Sequence, residues 1–598
     1  MHTKRLRVVL LAGWVLASGP AALGQAVNPW LTSDAPVSAG VAAPNTFSLE
    51  ALHESAPFKG LSPKEFCLKL WDVYYDGRRK SYAQFRQGMT LWAHTPTEPR
   101  ASKDVIELDP IALLNVHGSG YCGIASGLLE GIYQSRPGGT PGKPAIDARR
   151  WFLGGIIHSV TDAYYDGRWH YLDIDLGGYA GDDERGVWSV ADVLADPAGY
   201  YGDKAGQKSP YFFKADANGK WVEKINRAKS YAFQDNLMLG HEMTFAIRPG
   251  ETFTRYFSSV AAGWSEQPLY CKSVQMGQKG FCEMVYAPTA PQAAGDALQA
   301  GDEEAVHAIR CPYTITSSRI EATGKVSVSY DLGRTWLPVD TSKPVALGRW
   351  DYLLKVAGGE LKEVTTRGIL HPGALPRVGA GATKMTLTGM GDYQTLTWTP
   401  DLSSPESLAK VATVEATLRH GTSATASFTG GRLTGRGSVT FAVPAPPGCK
   451  LVKVAACVLG GAGTTPSSGR YLELHIGPEG KTRLVGRSTD CSAWGAEGPA
   501  KVDHWQNTVN GSTTFAPADK AEVTVRVNGQ GVITGVRIYA GYVPAETRRP
   551  RGTLTVTHGY DGKSHTEEIS AEALRRGPAT YTVPGPATVN EFVRMKVE

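Results

Sequence analysis

A cysteine at the start of a predicted helix is the first residue of this chain with the chemistry of a nucleophile. Cys122 lies in Gly120-Tyr121-Cys122-Gly123, and the apolar residues behind it recur at helical spacing as far as Pro137-Gly138. The free N–H groups and the dipole at a helix N-terminus favour the reactive thiolate, and they can stabilise an oxyanion. By itself the pattern fits a small buried cysteine facing the core better than it fits a nucleophile.

A predicted hairpin downstream brings a histidine and two aspartates together. Two strand-like runs cover 156–165 and 168–175, and Asp166-Gly167 between them is a strong signal for a two-residue turn. Such a turn sets three pairs opposite each other: Tyr165 and Arg168, Val160 and Asp173, and His158 and Asp175. The two-residue strand period then puts His158 and both aspartates on one face. The register alone favours neither aspartate strongly, and a surface histidine among ordinary acidic residues is the alternative.

The hairpin sequence resembles the transglutaminase-like superfamily of cysteine enzymes. It reads HSVTDAYYDGRWHYLD from His158 to Asp173, with Trp169 four residues before the final aspartate. In that family a strand with histidine ends in a turn, and a strand with tryptophan and a terminal aspartate follows. The nucleophilic cysteine opens a helix a few dozen residues upstream. The resemblance covers about an eighth of the chain and departs from the family at Asp162, where glutamate is more frequent, and at Ile174, where proline is common.

The resemblance implies a papain-like site with Cys122 as nucleophile, His158 as base and Asp173 as the residue that orients it. The implied reaction is acyl transfer from an amide, with water or an amine as the acceptor. Exported bacterial members are hydrolases more often than crosslinking enzymes, so we expect a peptidase or amidase. It would act on a protein or peptide substrate and need no cofactor and no metal.

The N-terminus has the composition of a signal peptide. Lys4, Arg5 and Arg7 precede a short apolar run at 8–17, which is too short to span a bilayer, and residues 1–26 are expected to be removed. The protein would then be secreted, periplasmic or attached to the cell surface. Removal of three positive charges from a formal net charge of +5 leaves +2, which gives no electrostatic case for nucleic acid or an anionic membrane. We expect no membrane span in the remainder.

Near residue 246 the sequence pattern changes: mixed helix and strand signals precede this point, and short strand signals follow it. The predicted fold class is α+β, with a papain-like N-terminal domain followed by all-β sandwich modules. The predicted units are a signal peptide at 1–26, a flexible lead-in at 27–60, a transglutaminase-like domain at 61–245, β-sandwich modules at 246–380 and 381–548, and a small β-rich module at 549–598.

Eight cysteines raise the question of disulfides, which export permits. Cys271 and Cys282 flank a predicted hairpin tip and are the expected pair, with Cys311 as the alternative partner for either. Cys449 with Cys457 is a lesser alternative. The spacings do not match a zinc site.

Two other features have a structural and a functional interpretation. Asn115 and His117, just before Cys122, could donate to an oxyanion or cap a turn. The run from Ser329 to Trp336 resembles the Asp-box of sialidases, and we interpret its single copy as a hairpin within a β-sandwich.

Two other function classes remain open. The first is a catalytically silent surface protein whose β-modules bind polysaccharide or protein, so a cell-surface polysaccharide is a second candidate partner. The second is a carbohydrate enzyme, which would rest on the Asp-box and tryptophans without an identifiable pair of carboxylates. An intact set of Cys122, His158 and Asp173 argues against both.

Overall fold

The structure is a computed structural model of the 598-residue chain. It describes residues 29–35, 43–76, 86–87, 109–117, 119–120, 122–153, 158–174, 179–182, 186–195, 205–207, 213–215, 221–223, 231–233, 237–257, 280–288, 299–300, 303–346, 348–370, 376–389, 391–415, 417–422, 431–461, 471–488, 501–502, 508–545 and 552–598. The predicted signal peptide at 1–26 lies outside these ranges.

The helices within the described ranges are short, and five of these lie in the N-terminal third. They are α1 (Leu49–His53), α2 (Pro63–Trp71), α3 (Pro110–Ala112), α4 (Cys122–Gln134), α5 (Val190–Ala195), α6 (Pro405–Ala409) and α7 (Ala571–Arg576), with π-helical turns at Asp72–Asp76 and Leu113–His117. Ser62 and Glu65 form a capping box at α2, with Pro63 in the first helical position. This fixes the start of the helix that later contributes Trp71 to the candidate site.

The strands of the first 250 residues are mostly short. They are β1 (Pro29–Ser33), β2 (Arg86–Gln87), β3 (Ser119–Gly120), β4 (Asp147–Leu153), β5 (His158–Tyr165), β6 (Arg168–Leu172), β7 (Tyr179–Asp182), β8 (Gly186–Val187), β9 (Ala205–Gln207), β10 (Phe213–Ala215), β11 (Trp221–Glu223) and β12 (Tyr231–Phe233).

The rest of the chain is dominated by strands. They are β13 (Glu251–Tyr256), β14 (Gly280–Tyr286), β15 (Gln299–Ala300), β16 (Glu304–Arg310), β17 (Thr314–Ala322), β18 (Lys325–Ser329), β19 (Leu337–Pro338), β20 (Asp351–Ala357), β21 (Leu361–Leu370), β22 (Thr383–Gly389), β23 (Gln394–Trp398), β24 (Ala412–Val414), β25 (Leu418–Thr422), β26 (Gly431–Pro444), β27 (Cys449–Gly461), β28 (Tyr471–Pro478), β29 (Arg483–Arg487), β30 (Lys501–Val502), β31 (Thr508–Ala518), β32 (Lys520–Pro544), β33 (Thr553–Tyr560), β34 (Lys563–Ser570), β35 (Ala579–Val583) and β36 (Asn590–Val597).

The predicted hairpin is formed by β5 and β6. Asp166 and Gly167 both have positive φ, 51° and 81°, as a two-residue turn of this type requires. The strand pairs run from Tyr165 with Arg168 to Thr161 with Leu172, which is the register that the turn predicts. The hairpin continues a five-stranded sheet in the order β30-β12-β4-β5-β6. Helix α4 packs on this sheet, and the Thr161 hydroxyl donates to the Ser126 carbonyl at 2.8 Å.

The central part of the chain forms a β-sandwich. A seven-stranded sheet has the order β17-β21-β14-β13-β36-β33-β34, and a five-stranded sheet has the order β15-β16-β20-β18-β19. Side chains of both sheets, such as Met284 and Leu354, belong to one buried cluster. The hydroxyls of Ser318 and Tyr352 lie 2.8 Å apart between the sheets. The β-sandwich expected for this part is therefore present.

A second β-sandwich follows in the chain. Its strands β24-β26-β32-β27-β31 form the main path, to which β23, β25, β28 and β29 are added. The 25-residue strand β32 pairs with β23, β26, β27 and β28. Val439, Phe441, Val523 and Ile538 are among the apolar residues of its separate core. Alternation of such residues with polar ones along each strand creates this core.

The Asp-box-like run forms a hairpin between β18 and β19, as we predicted. Ser329 Oγ donates to Asp331 Oδ1 at 2.8 Å, and Asp331 in turn accepts from the backbone N–H and the hydroxyl of Thr335. The indole of Trp336 lies beneath the ammonium group of Lys355, 4.5 Å away. The hydrogen bonds of Ser329, Asp331 and Thr335 lie within the turn, and Trp336 packs against the neighbouring strand β20, so the structural interpretation accounts for the motif.

Both ends of the described chain differ from what the sequence suggested. Strand β1, in the predicted flexible lead-in, pairs with β22, and Trp30 and Leu31 are buried there. The predicted C-terminal module at 549–598 supplies β33, β34 and β36 to the seven-stranded sheet, where β36 lies between β13 and β33. Pairing between strands that lie hundreds of residues apart leaves no local pattern, and the Ala, Pro and Ser content of the lead-in conceals Trp30 and Leu31.

The cysteine pairs can be compared with the strands that carry them. Cys449 and Cys457 lie eight positions apart on β27, so their Cα atoms are about 26 Å apart at the usual rise of a strand. A disulfide needs Cα atoms within about 7 Å, so this pairing is excluded. Cys271 lies outside the described residues.

In the part of the chain that the structure describes, no helix has the length and apolar content to cross a membrane.

Candidate active site

Cys122 is the first residue of α4, and it is partly exposed. The apolar residues at helical spacing behind it are fully buried, namely Ile124, Ala125, Leu128, Leu129 and Ile132. Packing of this face against the sheet therefore fixes the start of the helix, as its sequence predicts. At that start the first N–H groups have no partner within the helix and can bind an oxyanion next to the thiol.

His158 and Asp173 meet at the open end of the hairpin. His158 is the first residue of β5 and is 4% exposed, and Asp173 follows the last residue of β6 and is 2% exposed. His158 Nε2 and Asp173 Oδ2 are 2.8 Å apart. Asp173 is the aspartate that the register places diagonally from His158 and that the family resemblance selects. Asp175 lies outside the described residues.

The charges at this site favour a protonated His158. Burial alone would lower the pKa of His158, but the charge and hydrogen bond of Asp173, together with the neighbouring Cys122, raise it to about 10. Asp173 engages Nε2, and the Cys122 side chain forms a hydrogen bond with the same imidazole ring. The three side chains thus form a relay from thiol to imidazole to carboxylate, the arrangement of a nucleophile with an oriented base.

Two further side chains hold Asp173, and the sequence analysis did not identify them. The Tyr171 hydroxyl donates to the same Oδ2 at 3.2 Å, and the Trp71 indole donates to the Asp173 carbonyl at 3.1 Å. Tyr171 lies two residues before Asp173, so strand alternation could have indicated it. Trp71 lies on α2, 102 residues away in the chain, and no sequence signal connects it to the site.

A buried ion pair supports the hairpin from β4. Arg149 Nη2 lies 3.0 Å from Asp162 Oδ2, and both side chains are fully buried. Asp162 also accepts from the Trp151 indole at 2.8 Å and from the Val190 backbone N–H at 3.2 Å. The Arg149 guanidinium lies 3.9 Å from the centre of the Trp169 ring. Trp169, part of the motif on which the resemblance rests, therefore has a packing role, and the departure at Asp162 has a structural one.

Asn115 does not serve the oxyanion, contrary to one of the two interpretations of the sequence. Its amide nitrogen donates to the carbonyls of Thr46 and Ile111, and its oxygen accepts from the Thr46 hydroxyl. The two contacts with Thr46 tie the turn before α4 to the segment before α1, and the contact with Ile111 lies within that turn. The side chain of His117 lies outside the described part of the chain.

The described residues contain no group of three or more His, Cys, Asp or Glu side chains that could hold a metal ion. The relay of Cys122, His158 and Asp173 has the nucleophile, the base and the orienting carboxylate that acyl transfer uses.

Comparisons with known proteins do not show a family for this chain. No protein-family model matches the chain, and no curated protein matches it. Among solved structures, the C-terminal CBM6 domain of LamC, a marine laminarinase from Zobellia galactanivorans, is 11% identical; the match covers 24% of this chain and 98% of that one, with a TM-score of 0.16.

Two other solved structures match parts of the chain. A family two carbohydrate esterase from Cellvibrio japonicus is 14% identical over 27% of this chain and 38% of its own, with a TM-score of 0.14. The extracellular domain of ANXUR2 from Arabidopsis thaliana is 8% identical over 55% of this chain and 94% of its own, with a TM-score of 0.19. At these identities and TM-scores the three likenesses carry no argument about the fold or the function of this chain.

Proposed function

We propose that this chain is an exported thiol acyl-transfer enzyme of the transglutaminase-like type that hydrolyses amide bonds in proteins or peptides. One observation carries the proposal: His158 forms hydrogen bonds with both Asp173 and Cys122. A buried histidine that contacts both a carboxylate and a thiol at the start of a helix is a costly arrangement if its only purpose is packing. The papain-like character of the region and its export are parts of the same proposal, supported by the residue motif and the N-terminal sequence.

The geometry suits a two-step reaction. The Cys122 thiolate attacks the amide carbonyl, and the first N–H groups of α4 bind the negative oxygen that develops. His158, protonated and held by Asp173, gives a ring proton to the departing amine. Water then attacks the thioester, with the neutral His158 accepting its proton, and the carboxylic acid leaves. An amine in place of water would give a crosslink through the same steps.

Reaction with iodoacetamide across pH tests the nucleophile. Because His158 carries a proton at neutral pH, we expect Cys122 to alkylate at pH 6 about 10–100-fold faster than glutathione. The other cysteines that the structure describes are all buried, so mass mapping after a short exposure should find the label on Cys122 among them. Cys122→Ala gives the background, and Cys67→Ala serves as a matched control at a buried thiol.

His158→Gln links this reactivity to the proposed relay. The variant keeps Cys122 but lacks the imidazolium, so its rapid alkylation at pH 6 should disappear. Cleavage of an unfolded protein substrate, measured by new amino termini, should disappear in both His158→Gln and Cys122→Ala. If Cys122 reacts no faster than glutathione and no cleavage is seen, the catalytic proposal is wrong and a silent binding protein becomes the better account.

A further inference from the structure

Two buried sulfur atoms lie side by side in the central sandwich. Cys282 lies on β14 in the seven-stranded sheet, and Cys311 directly follows β16 in the five-stranded sheet. Their Sγ atoms are 3.5 Å apart, and both residues are fully buried. The two residues therefore meet at the contact between the two sheets.

A glycine makes room for this pair of sulfurs. Gly368 on β21 lies directly opposite Cys282 in the sheet. A Cβ atom at this position would lie 2.9 Å from the sulfur of Cys282 and 2.9 Å from that of Cys311. Any larger residue would thus push both sulfurs away. The space above Gly368 is occupied by the two sulfurs together, and neither thiol has the separate packing site of an ordinary core cysteine.

We propose that Cys282 and Cys311 form a disulfide that joins the two sheets of the central sandwich. Rotation of the two side chains has to bring the sulfurs closer by only about 1.5 Å to reach bonding distance. The inference is independent of the proposed catalytic function, because neither residue contacts the relay at Cys122. It selects Cys311 as the partner of Cys282, which the sequence left as an alternative to Cys271.

The bond has to form before the sandwich closes. Burial raises the pKa of the Cys282 thiol, so the folded protein does not present a thiolate there. During folding, the thiolate of one cysteine attacks a disulfide oxidant, such as glutathione disulfide, and forms a mixed disulfide. The second thiolate then displaces the remaining oxidant sulfur. The two cysteines lose two protons and two electrons, and the oxidant is reduced to two thiols.

Peptide mapping of the full chain tests the pairing. The protein is produced by export into an oxidising compartment or is refolded with glutathione disulfide. It is then unfolded in acid, treated with a thiol alkylating reagent and digested without reduction. We expect one crosslinked species that contains Cys282 and Cys311 and disappears on reduction. Recovery of both residues as alkylated thiols, or of Cys282 crosslinked to Cys271, would overturn the proposal.

Thermal unfolding of three variants gives a second, independent readout. Cys282→Ala, Cys311→Ala and the double variant should each lower the melting temperature by a similar amount, about 5–10 °C, because either single change removes the same crosslink. Two independent buried thiols would instead show additive losses in the double variant. Cys67→Ala, an equally buried thiol on α2, is the matched control and should leave the crosslinked peptide unchanged.

Discussion

At the scale of single residues, the orientation of His158 depends on one carboxylate oxygen. Asp173 Oδ2 accepts from His158 at 2.8 Å and from the Tyr171 hydroxyl at 3.2 Å. Asp173→Asn keeps the shape but cannot stabilise the imidazolium or fix its tautomer. We expect turnover to fall roughly 10³–10⁴-fold with little change in melting temperature. Asp175→Asn is the comparison, and it should keep most of the activity; equal losses in the two variants would contradict this assignment.

The hydroxyl of Tyr171 predicts a change in the pH dependence. The imidazolium that protonates the leaving amine is present below a pKa of about 10 and is lost as the pH rises through that value. Tyr171→Phe removes a donor to Asp173, which leaves the carboxylate a stronger partner for the imidazolium. The alkaline limit of activity should therefore shift upward by about half a pH unit, the equivalent of one neutral hydrogen bond. If Tyr171→Phe lowers the melting temperature but leaves the alkaline limit of activity unchanged, Tyr171 contributes to packing and does not affect the pKa of His158.

At the scale of elements, the hairpin depends on the buried pair of Arg149 and Asp162. Asp162→Ala would leave the guanidinium buried without its carboxylate and would also remove the acceptor of the Trp151 indole. We expect the free energy of unfolding to fall by about 3–5 kcal/mol, measured by urea denaturation. Glu54→Ala breaks an exposed pair with Lys59 and should change it by less than about 1 kcal/mol. Similar losses in the two variants would mean that Asp162 contributes nothing special to the hairpin.

Elements with local signals could be predicted, and elements that depend on distant pairing could not. The two-residue turn at Asp166-Gly167 fixes the register, and the register places His158 and Asp173 on one face. The family resemblance was needed to select Asp173 over Asp175. The start and the buried face of helix α4 could likewise be predicted from its sequence. Strand β36, in contrast, lies between β13 and β33 because of contacts with residues up to about 340 positions away. The pairing of β1 with β22 also joins residues that lie far apart in the chain. The sequence around β1 therefore suggested a flexible lead-in.

At the scale of the whole molecule, the segment at 237–245 connects the N-terminal third to the second sandwich. Asp109 Oδ2 accepts from the backbone N–H groups of Gly240 and His241 at 3.1 and 2.9 Å. On the other side, Asn510 exchanges hydrogen bonds with the backbone of Leu237 and Leu239. The change of sequence pattern near residue 246 therefore falls next to a continuous set of contacts. We expect the stability of the region before residue 246 and that of the region after it to depend on each other.

A charged contact in this region allows that dependence to be tested. The ammonium group of Lys453 on β27 lies 2.6 Å from Glu242 and 3.4 Å from Glu50, and it is 18% exposed. Burial lowers the pKa of Lys453, but the two carboxylates more than offset this and raise it. Both partners lie before residue 246. A fragment of residues 246–598, which contains the predicted β-sandwich modules and the predicted C-terminal module, loses them together with β1 and leaves Lys453 without these carboxylates.

We therefore expect the fragment of residues 246–598 to unfold at a lower temperature than the same region of the full chain, or to aggregate. Lys453→Met should partly restore the fragment, because an apolar residue of similar length suits a partly buried site that has lost its carboxylates. In the full chain the same change should destabilise, since it leaves Glu242 without its cation. If Lys453→Met raises the melting temperature of the fragment and lowers that of the full chain, the contact of Lys453 with Glu242 and Glu50 is the link between the two regions. A fragment as stable as the full chain, with no response to Lys453→Met, would show that the sandwiches fold on their own.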